Sequence, residues 1–297
     1  MSKVFFAFDD DIIDPCFDGA FKAIFTKNTP ESQCALRGLL SGILSRAVEV
    51  TAVTANEPPV DDLHDRQIRY DINCRFDNGE LANIEMTMYP DTFEAFRLEY
   101  YASKLQVSQN IKGRDKSYKD LCKSYQISFI AHEKIFPDDE LVHEFFYYDP
   151  KTNTSLGKLS NIITVEFVKL EDGKSPEEMS FTEHWTAFFR YSPDPNKRAL
   201  VNTILEQREE IAMAAQALIH ISKDEVERAR LNSEYKFAVD LQSKMVTAKR
   251  EGRNEALTAV IREMLADKMS IDQISRFTRL TAEEVHRLLC DYNIPLQ

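Results

Sequence analysis

Residues 67–88 read QIRYDINCRFDNGELANIEMTM and predict a β-hairpin. Polar and apolar residues alternate on both sides of the turn signal at 77–79, as they do in two half-buried strands. We therefore predict strands over 67–76 and 81–88. A two-residue turn would mix polar and apolar side chains on each face, whereas a three-residue loop with Gly79 in the left-handed region keeps one face apolar. The second register places Asp71 beside Glu85.

The pairing of Asp71 with Glu85 has two interpretations. Two carboxylates on rigid strands repel each other unless a cation lies between them, and hard oxygen ligands suit Mg²⁺ or Mn²⁺. Such an ion polarises a phosphodiester and lowers the pKa of a bound water. The alternative is an exposed hairpin that carries ordinary surface acids. The spacing alone leaves both interpretations open.

Composition limits the classes of protein to consider. The chain has 297 residues, with 37 Lys and Arg against 49 Asp and Glu, and a net charge of −12. This balance argues against a protein whose whole surface binds polyanions, so any contact with DNA must use a local basic patch. Five scattered cysteines without a CxxC pair predict reduced thiols and a cytoplasmic location. We expect no signal peptide and no transmembrane helix, and the usual motifs of dinucleotide-binding proteins, P-loop proteins and zinc proteases do not occur.

Hydrophobic periodicity along the chain predicts an α/β fold, with a mixed sheet flanked by helices and then an all-helical C-terminal region. We expect the first domain to span 1–172 and the helical region to span 173–297. Pro90 is expected at the first position of a long helix, whose apolar residues recur at helical spacing from Phe93 through Phe96 and Tyr100. The predicted elements are helices over 17–25, 32–44, 90–109, 198–219 and 223–267, and strands over 47–55, 125–131, 144–148 and 162–170.

The last part of the helical region predicts a compact hairpin of two short helices. Ser270 and Thr281 are each followed three residues later by Gln273 and Glu284, which is the capping-box pattern at a helix start. The length also suits a DNA-binding helix-turn-helix, but acidic residues begin the second helix. We therefore favour a packing or dimerisation hairpin and expect a homodimer.

An ordered series of motifs runs through the first 170 residues. It comprises Asp18-x-x-Phe21-Lys22-x-x-Phe25, Asp71-Ile72, Asn83-Ile84-Glu85-Met86, Arg97-x-x-Tyr100-Tyr101-x-x-Lys104, and Gly113 followed by YKDLCKSYQISFI at 118–130. The series resembles the Rpn family of recombination-promoting nucleases and transposases, which belongs to the PD-(D/E)XK nuclease superfamily. The resemblance covers roughly residues 14–170.

The resemblance implies a restriction-endonuclease-like fold and a DNA endonuclease that depends on Mg²⁺ or Mn²⁺. Asp71 and Glu85 would be the metal ligands, with the main-chain carbonyl of residue 86 as a third. Asp18 and Lys22 correspond to the helix motif of the family and would border the metal. The superfamily has a lysine, and this family usually a glutamine, where this chain has Thr87.

Threonine is shorter than lysine or glutamine, so Thr87 orients an attacking water only if that water lies closer. We expect Thr87 and Lys22 to border the water. Lys22, Arg69 and Lys104 are the candidates that could take the place of the missing long side chain. The alternative is a catalytically weakened family member that binds DNA or associates with a related protein.

A local basic patch is expected between residues 97 and 134, where eight basic residues face four acidic ones. The predicted phosphate contacts are Arg97, Lys104, Lys112 and Arg114. The alternative is an ordinary solvated helix face with a lysine-rich loop. We expect the tyrosines of this region, Tyr100, Tyr101 and Tyr118, to pack in the core rather than to stack on bases.

Overall fold

The computed structural model of the protein describes residues 5–54, 71–109, 111, 117–292 and 294. It divides into two compact units, Met1–Leu231 and Asn232–Gln297, which are described separately below. The predicted strand positions 67–70 lie outside the described residues.

The first unit contains a six-stranded sheet and six complete α-helices among its described residues. The strands are β1 Val50–Thr54, β2 Ile72–Phe76, β3 Leu81–Thr87, β4 Ser124–Ile130, β5 Val142–Phe146 and β6 Ser160–Glu166. The helices are α1 Asp18–Thr26, α2 Pro30–Ile43, α3 Glu94–Val107, α4 Phe181–Tyr191, α5 Arg198–Gln207 and α6 Glu209–Lys223. A long helix, α7 Glu225–Ala266, begins in this unit and continues into the second.

The sheet is mixed, in the order β1-β2-β3-β4-β6-β5. The strands β3, β4 and β6 are parallel, while β1, β2 and β5 pair with their neighbours in the antiparallel sense. Parallel neighbours need a crossover connection, and α3 lies in the connection from β3 to β4. The predicted mixed sheet flanked by helices is confirmed.

The hairpin of β2 and β3 has the three-residue loop that the hydrophobic pattern predicts. Ile72 lies opposite Ile84, and the Phe76 amide donates to the Glu80 carbonyl across the loop. Gly79 has a φ of 84°, which a residue with a side chain rarely adopts. This register places the residue before β2, Asp71, next to Glu85 of β3.

The helices α4 to α6 share one hydrophobic core with α1, α2 and the sheet. Trp185 of α4 is fully buried, and its ring centroid lies 6.0 Å from those of both Phe25 and Phe189. The change to helical structure predicted after residue 172 is present. The compact units nevertheless divide after Leu231, because these helices bury their apolar faces against the sheet unit.

Two predicted helices differ from the structure in their bounds. Helix α3 begins at Glu94 rather than Pro90, because the Asp91 side chain accepts the Phe93 amide at 2.6 Å and holds the preceding residues in a turn. The helix predicted over 198–219 is two helices, since Arg208 is extended (φ −129°, ψ 101°). Its guanidinium donates to His184 and lies over the Phe181 ring, so a tertiary contact replaces the helical conformation there.

The second unit has a small core of its own around Ile261, Ile274, Val285 and Leu289. Helices α8 Ile271–Thr278 and α9 Ala282–Asp291 form the predicted hairpin. Both capping boxes, at Ser270 and Thr281, are confirmed. In the described part of the chain, no helix has the length and apolar character needed to cross a membrane.

Candidate metal and catalytic site

Asp71, directly before β2, and Glu85, in β3, lie side by side. The Asp71 amide donates to Oε1 of Glu85 at 3.1 Å, and the Met86 amide donates to Oδ2 of Asp71 at 3.0 Å. Asp71 is 9% exposed and Glu85 is 4% exposed. The burial excludes the interpretation of the pair as ordinary surface acids of an exposed hairpin.

Each of the two carboxylates faces a cation from a helix. Nζ of Lys22, in α1, lies 3.0 Å from Oδ1 of Asp71 and 2.7 Å from Oδ1 of Asp18. Nη1 of Arg97, in α3, lies 3.8 Å from Oε2 of Glu85. Helices α1 and α3, which are far apart in the sequence, therefore bring Lys22 and Arg97 to the carboxylate pair. The sequence motifs gave the order of these residues along the chain but not their proximity.

Burial and the charge of a neighbouring carboxylate disfavour the ionised form of each carboxyl. Burial and then the charge of Asp18 raise the pKa of Asp71 to about 6, although Lys22 and the Met86 amide act in the opposite direction. Burial and then the neighbouring Asp71 raise the pKa of Glu85 to about 8. Near neutral pH the pair therefore carries less than its full negative charge, and a bound metal cation would favour the ionised form of both carboxyls.

The charges and donor atoms of the site fit one divalent cation. Asp18, Asp71, Glu85 and Glu94 carry four negative charges when ionised, and Lys22 and Arg97 carry two positive charges. Carboxylate oxygens are the ligands that Mg²⁺ and Mn²⁺ prefer. No three His, Cys, Asp or Glu side chains of the described residues group as a complete metal-binding set. The side chains of Asp71 and Glu85 would thus be supplemented by main-chain or water oxygens.

Thr87 contacts the Arg97 side chain and not the carboxylate pair. Nη2 of Arg97 donates to Oγ1 of Thr87 at 2.7 Å, and that hydroxyl lies 3.4 Å from Oε1 of Glu94. Nε of Arg97 donates to Oε2 of Glu94 at 3.0 Å. Thr87 and Glu94 therefore fix the position of Arg97 beside Glu85. The sequence analysis missed Glu94, and its only local signal is the i,i+3 spacing to Arg97.

A buried polar pair continues the site along the same face of the sheet. The side-chain Nδ2 of Asn83 donates to Oε1 of Glu85 at 2.9 Å and to Oε1 of Gln126, in β4, at 2.8 Å. Asn83 and Gln126 are both fully buried. This network fixes the Glu85 carboxylate. Polar and apolar residues alternate along β4, and this alternation is the sequence signal for the network. The sequence analysis assigned no role to the polar face of β4.

The structure describes two of the four predicted phosphate contacts, Arg97 and Lys104. Arg97 is held by Glu94 and Thr87, so it faces the carboxylate site. Lys104 is half-buried, and its Nζ lies 5.8 Å from the centroid of the Tyr100 ring. Lys112 and Arg114, like Arg69, lie outside the described residues.

A mixed sheet that presents two acids from adjacent strands, with a lysine beside them, defines a protein of the restriction-endonuclease-like class. A family model described as PD-(D/E)XK nuclease family transposase matches residues 15–248, which is more than half of the chain. The chain belongs to this family, and the resemblance found in its motifs is confirmed. Comparison with curated proteins and with solved structures returned no match.

Proposed function

We propose that the protein is a divalent-metal-dependent DNA endonuclease that hydrolyses phosphodiester bonds. The observation that carries the proposal is the buried pair of Asp71 and Glu85 with Lys22 at 3.0 Å. Two buried carboxylates that lie side by side are costly for the fold, and a bound metal ion relieves that cost. Membership of a nuclease family supports DNA as the substrate.

Asp71 and Glu85 would hold Mg²⁺ or Mn²⁺. When bound, such an ion polarises the phosphodiester and lowers the pKa of a coordinated water. The protein's part is to keep both carboxylates in place. Asn83 and the two main-chain amides of Asp71 and Met86 donate to them, so their orientation is set before any ligand arrives.

Lys22 is proposed to replace the lysine that the superfamily has at the position of Thr87. Its Nζ lies next to Asp71 and its side chain is partly exposed, so it can reach a phosphate oxygen as well as the carboxylate. Burial opposes its charge, but Asp71 and Asp18 outweigh burial and raise the pKa of Lys22 above its usual value. Lys22 thus acts as a cation that orients the attacking water and stabilises the transition-state charge, rather than as a base.

Arg97 is proposed as the second cation of the reaction. Glu94 and Thr87 bind its guanidinium on one side, which leaves Nη1 directed toward Glu85. A guanidinium held in this way binds a phosphate oxygen with little loss of conformational entropy. Thr87 then contributes to catalysis by positioning Arg97, not by contacting the water.

The test is plasmid nicking by the full chain with Mg²⁺, with Mn²⁺ and with EDTA. We expect nicking that requires metal and that Asp71→Asn abolishes. Asp77→Asn, in the exposed loop of the same hairpin, is the matched control and is expected to nick as the wild type does. Metal-independent nicking, or equal nicking by Asp71→Asn, would contradict the proposal.

The competing proposal is a catalytically weakened family member that binds DNA or a related protein. The observation in its favour is that both carboxylates face protein cations while Thr87 is engaged elsewhere. Folded wild-type protein that binds DNA in a salt-sensitive manner without nicking it in either metal would support this alternative.

We further propose that the protein acts in the cytoplasm as a homodimer. All five cysteines are free thiols, which is typical of a reducing compartment. The exposed apolar side chains Phe237, Leu241 and Met245 recur every four residues along α7 and offer a surface for self-association. A sedimentation measurement that finds only monomer at micromolar concentration would contradict the dimer.

A further inference from the structure

Helix α3 and the residue directly before it carry three exposed aromatic side chains. Phe93, Phe96 and Tyr100 are 64%, 65% and 41% exposed. The helix instead packs on the sheet through Glu94, Leu98, Ala102 and Leu105. The prediction that Tyr100 packs in the core is therefore wrong. Several large aromatic side chains exposed together mark a surface that binds something.

The exposed rings form one row along α3. The centroids of Phe93 and Phe96 are 6.1 Å apart with an interplanar angle of 29°, so the two rings stack on each other. Tyr100 follows four residues later on the same side of the helix. Beyond it, Nζ of Lys104 lies over the Tyr100 ring. We call these four residues the aromatic row.

The aromatic row begins at the carboxylate site. Phe93 directly precedes Glu94, and Phe96 directly precedes Arg97. Glu94 and Arg97 both contact Thr87, and Arg97 also faces Glu85. A DNA strand with a phosphate at the carboxylate site would therefore have its neighbouring nucleotides close to these rings.

The chemistry of the row fits unpaired bases. Proteins that bind single-stranded nucleic acid combine cations for the backbone with aromatic rings on which bases stack. In a duplex the faces of the bases are covered by their neighbours, so exposed rings gain little from paired DNA. The exposed acid of α3, Glu99, is three residues from Phe96 and borders the row on one side, while Arg97 and Lys104 supply two cations along it.

We propose that the aromatic row is a stacking platform for unpaired bases and that the substrate of the site is single-stranded or locally unpaired DNA. The inference deepens the proposed nuclease function, because it names the form of DNA that reaches Asp71 and Glu85. Base stacking on the row is itself independent of cleavage and is measured without metal.

The test uses a single-stranded oligonucleotide that contains 2-aminopurine, mixed with the full chain in EDTA. Stacking on the rings is expected to change the 2-aminopurine fluorescence on binding, and duplex DNA of the same sequence is expected to bind more weakly. The double variant Phe93→Ala and Phe96→Ala is expected to lose roughly tenfold in affinity per ring. Phe96→Tyr keeps an aromatic face and is expected to retain the affinity, while Phe96→Leu is expected to weaken binding about tenfold.

The matched control is Phe8→Ala, which removes an exposed ring from the segment before α1, away from every site proposed above. Unchanged affinity in the double variant, an equal loss in Phe8→Ala, or tighter binding of the duplex would each overturn the platform. The proposed nuclease is judged separately. Stacking without metal-dependent nicking would support the stacking platform and contradict the proposed nuclease. Metal-dependent nicking without stacking would support the nuclease and contradict the platform.

Discussion

Replacement of Glu85 by glutamine should stabilise the metal-free protein, and by an amount that depends on pH. The folded protein raises the pKa of Glu85 from 4.5 to about 8. Between these two values the folded protein binds a proton that the unfolded chain has released. The free energy of unfolding therefore falls as the pH rises through this range.

Glu85→Gln removes the charge and keeps Oε1, which accepts from the Asp71 amide and from Asn83. One pKa unit corresponds to about 1.4 kcal/mol, so the full elevation is an upper limit of about 5 kcal/mol. That elevation already contains the opposing attraction of Arg97, so the gain is reduced by residual burial of Glu85 in the unfolded chain and by relaxation of the site. We expect a net stabilisation of about 3 kcal/mol at about pH 8, or roughly 6 to 12 °C in Tm, that vanishes toward about pH 5.

The assay is thermal unfolding in EDTA, followed by the fluorescence of Trp185, which is the only tryptophan and is buried in the same unit. Glu99→Gln, at an exposed position of α3, is the control and should show no such pH dependence. A variant that is less stable than the wild type at about pH 8 would show that Glu85 is ionised and stabilised by Arg97 in the folded state. A gain that is equal at all pH values would also refute the reasoning.

Three further predictions concern the same site. The affinity for Mg²⁺ should increase from about pH 6 to about pH 8, because Asp71 and Glu85 must release protons to bind the ion. Calorimetric titration at both pH values measures this increase, and an equal affinity at the two values would show that both groups are already ionised. Lys22→Met should lower kcat about 100-fold with little change in metal affinity, and a variant that loses both equally would make Lys22 a structural residue only. Thr87→Val should cost about 1 to 2 kcal/mol in urea unfolding, because Arg97 loses a buried acceptor, and an unchanged midpoint would contradict that contact.

The sequence predicted the features that depend on local periodicity. The alternation around Gly79 determined the register of β2 and β3, and with it the neighbourhood of Asp71 and Glu85. The capping boxes at Ser270 and Thr281 depend on residues three apart, so they too were correct. These patterns act over a few residues and do not require knowledge of the tertiary structure.

Features that depend on how helices pack were not predictable in this way. Helix α3 has two faces that could be buried, and the one that packs on the sheet carries Leu98, Ala102 and Glu94. The Glu94 carboxylate contacts Thr87 of β3, which is a tertiary contact that the helical pattern does not contain. The role of Arg97 follows from this choice. It also places Phe93 in solvent, which the helical spacing of the aromatics did not indicate.

The strand that carries Glu85 has hydrogen-bonded neighbours on both edges, β2 in the antiparallel and β4 in the parallel sense. Central strands open only when the whole cooperative unit unfolds. Loss of the carboxylate geometry should therefore coincide with global unfolding of the first unit. On heating or in denaturant, activity and tryptophan fluorescence should decline together, without a folded and inactive state between them.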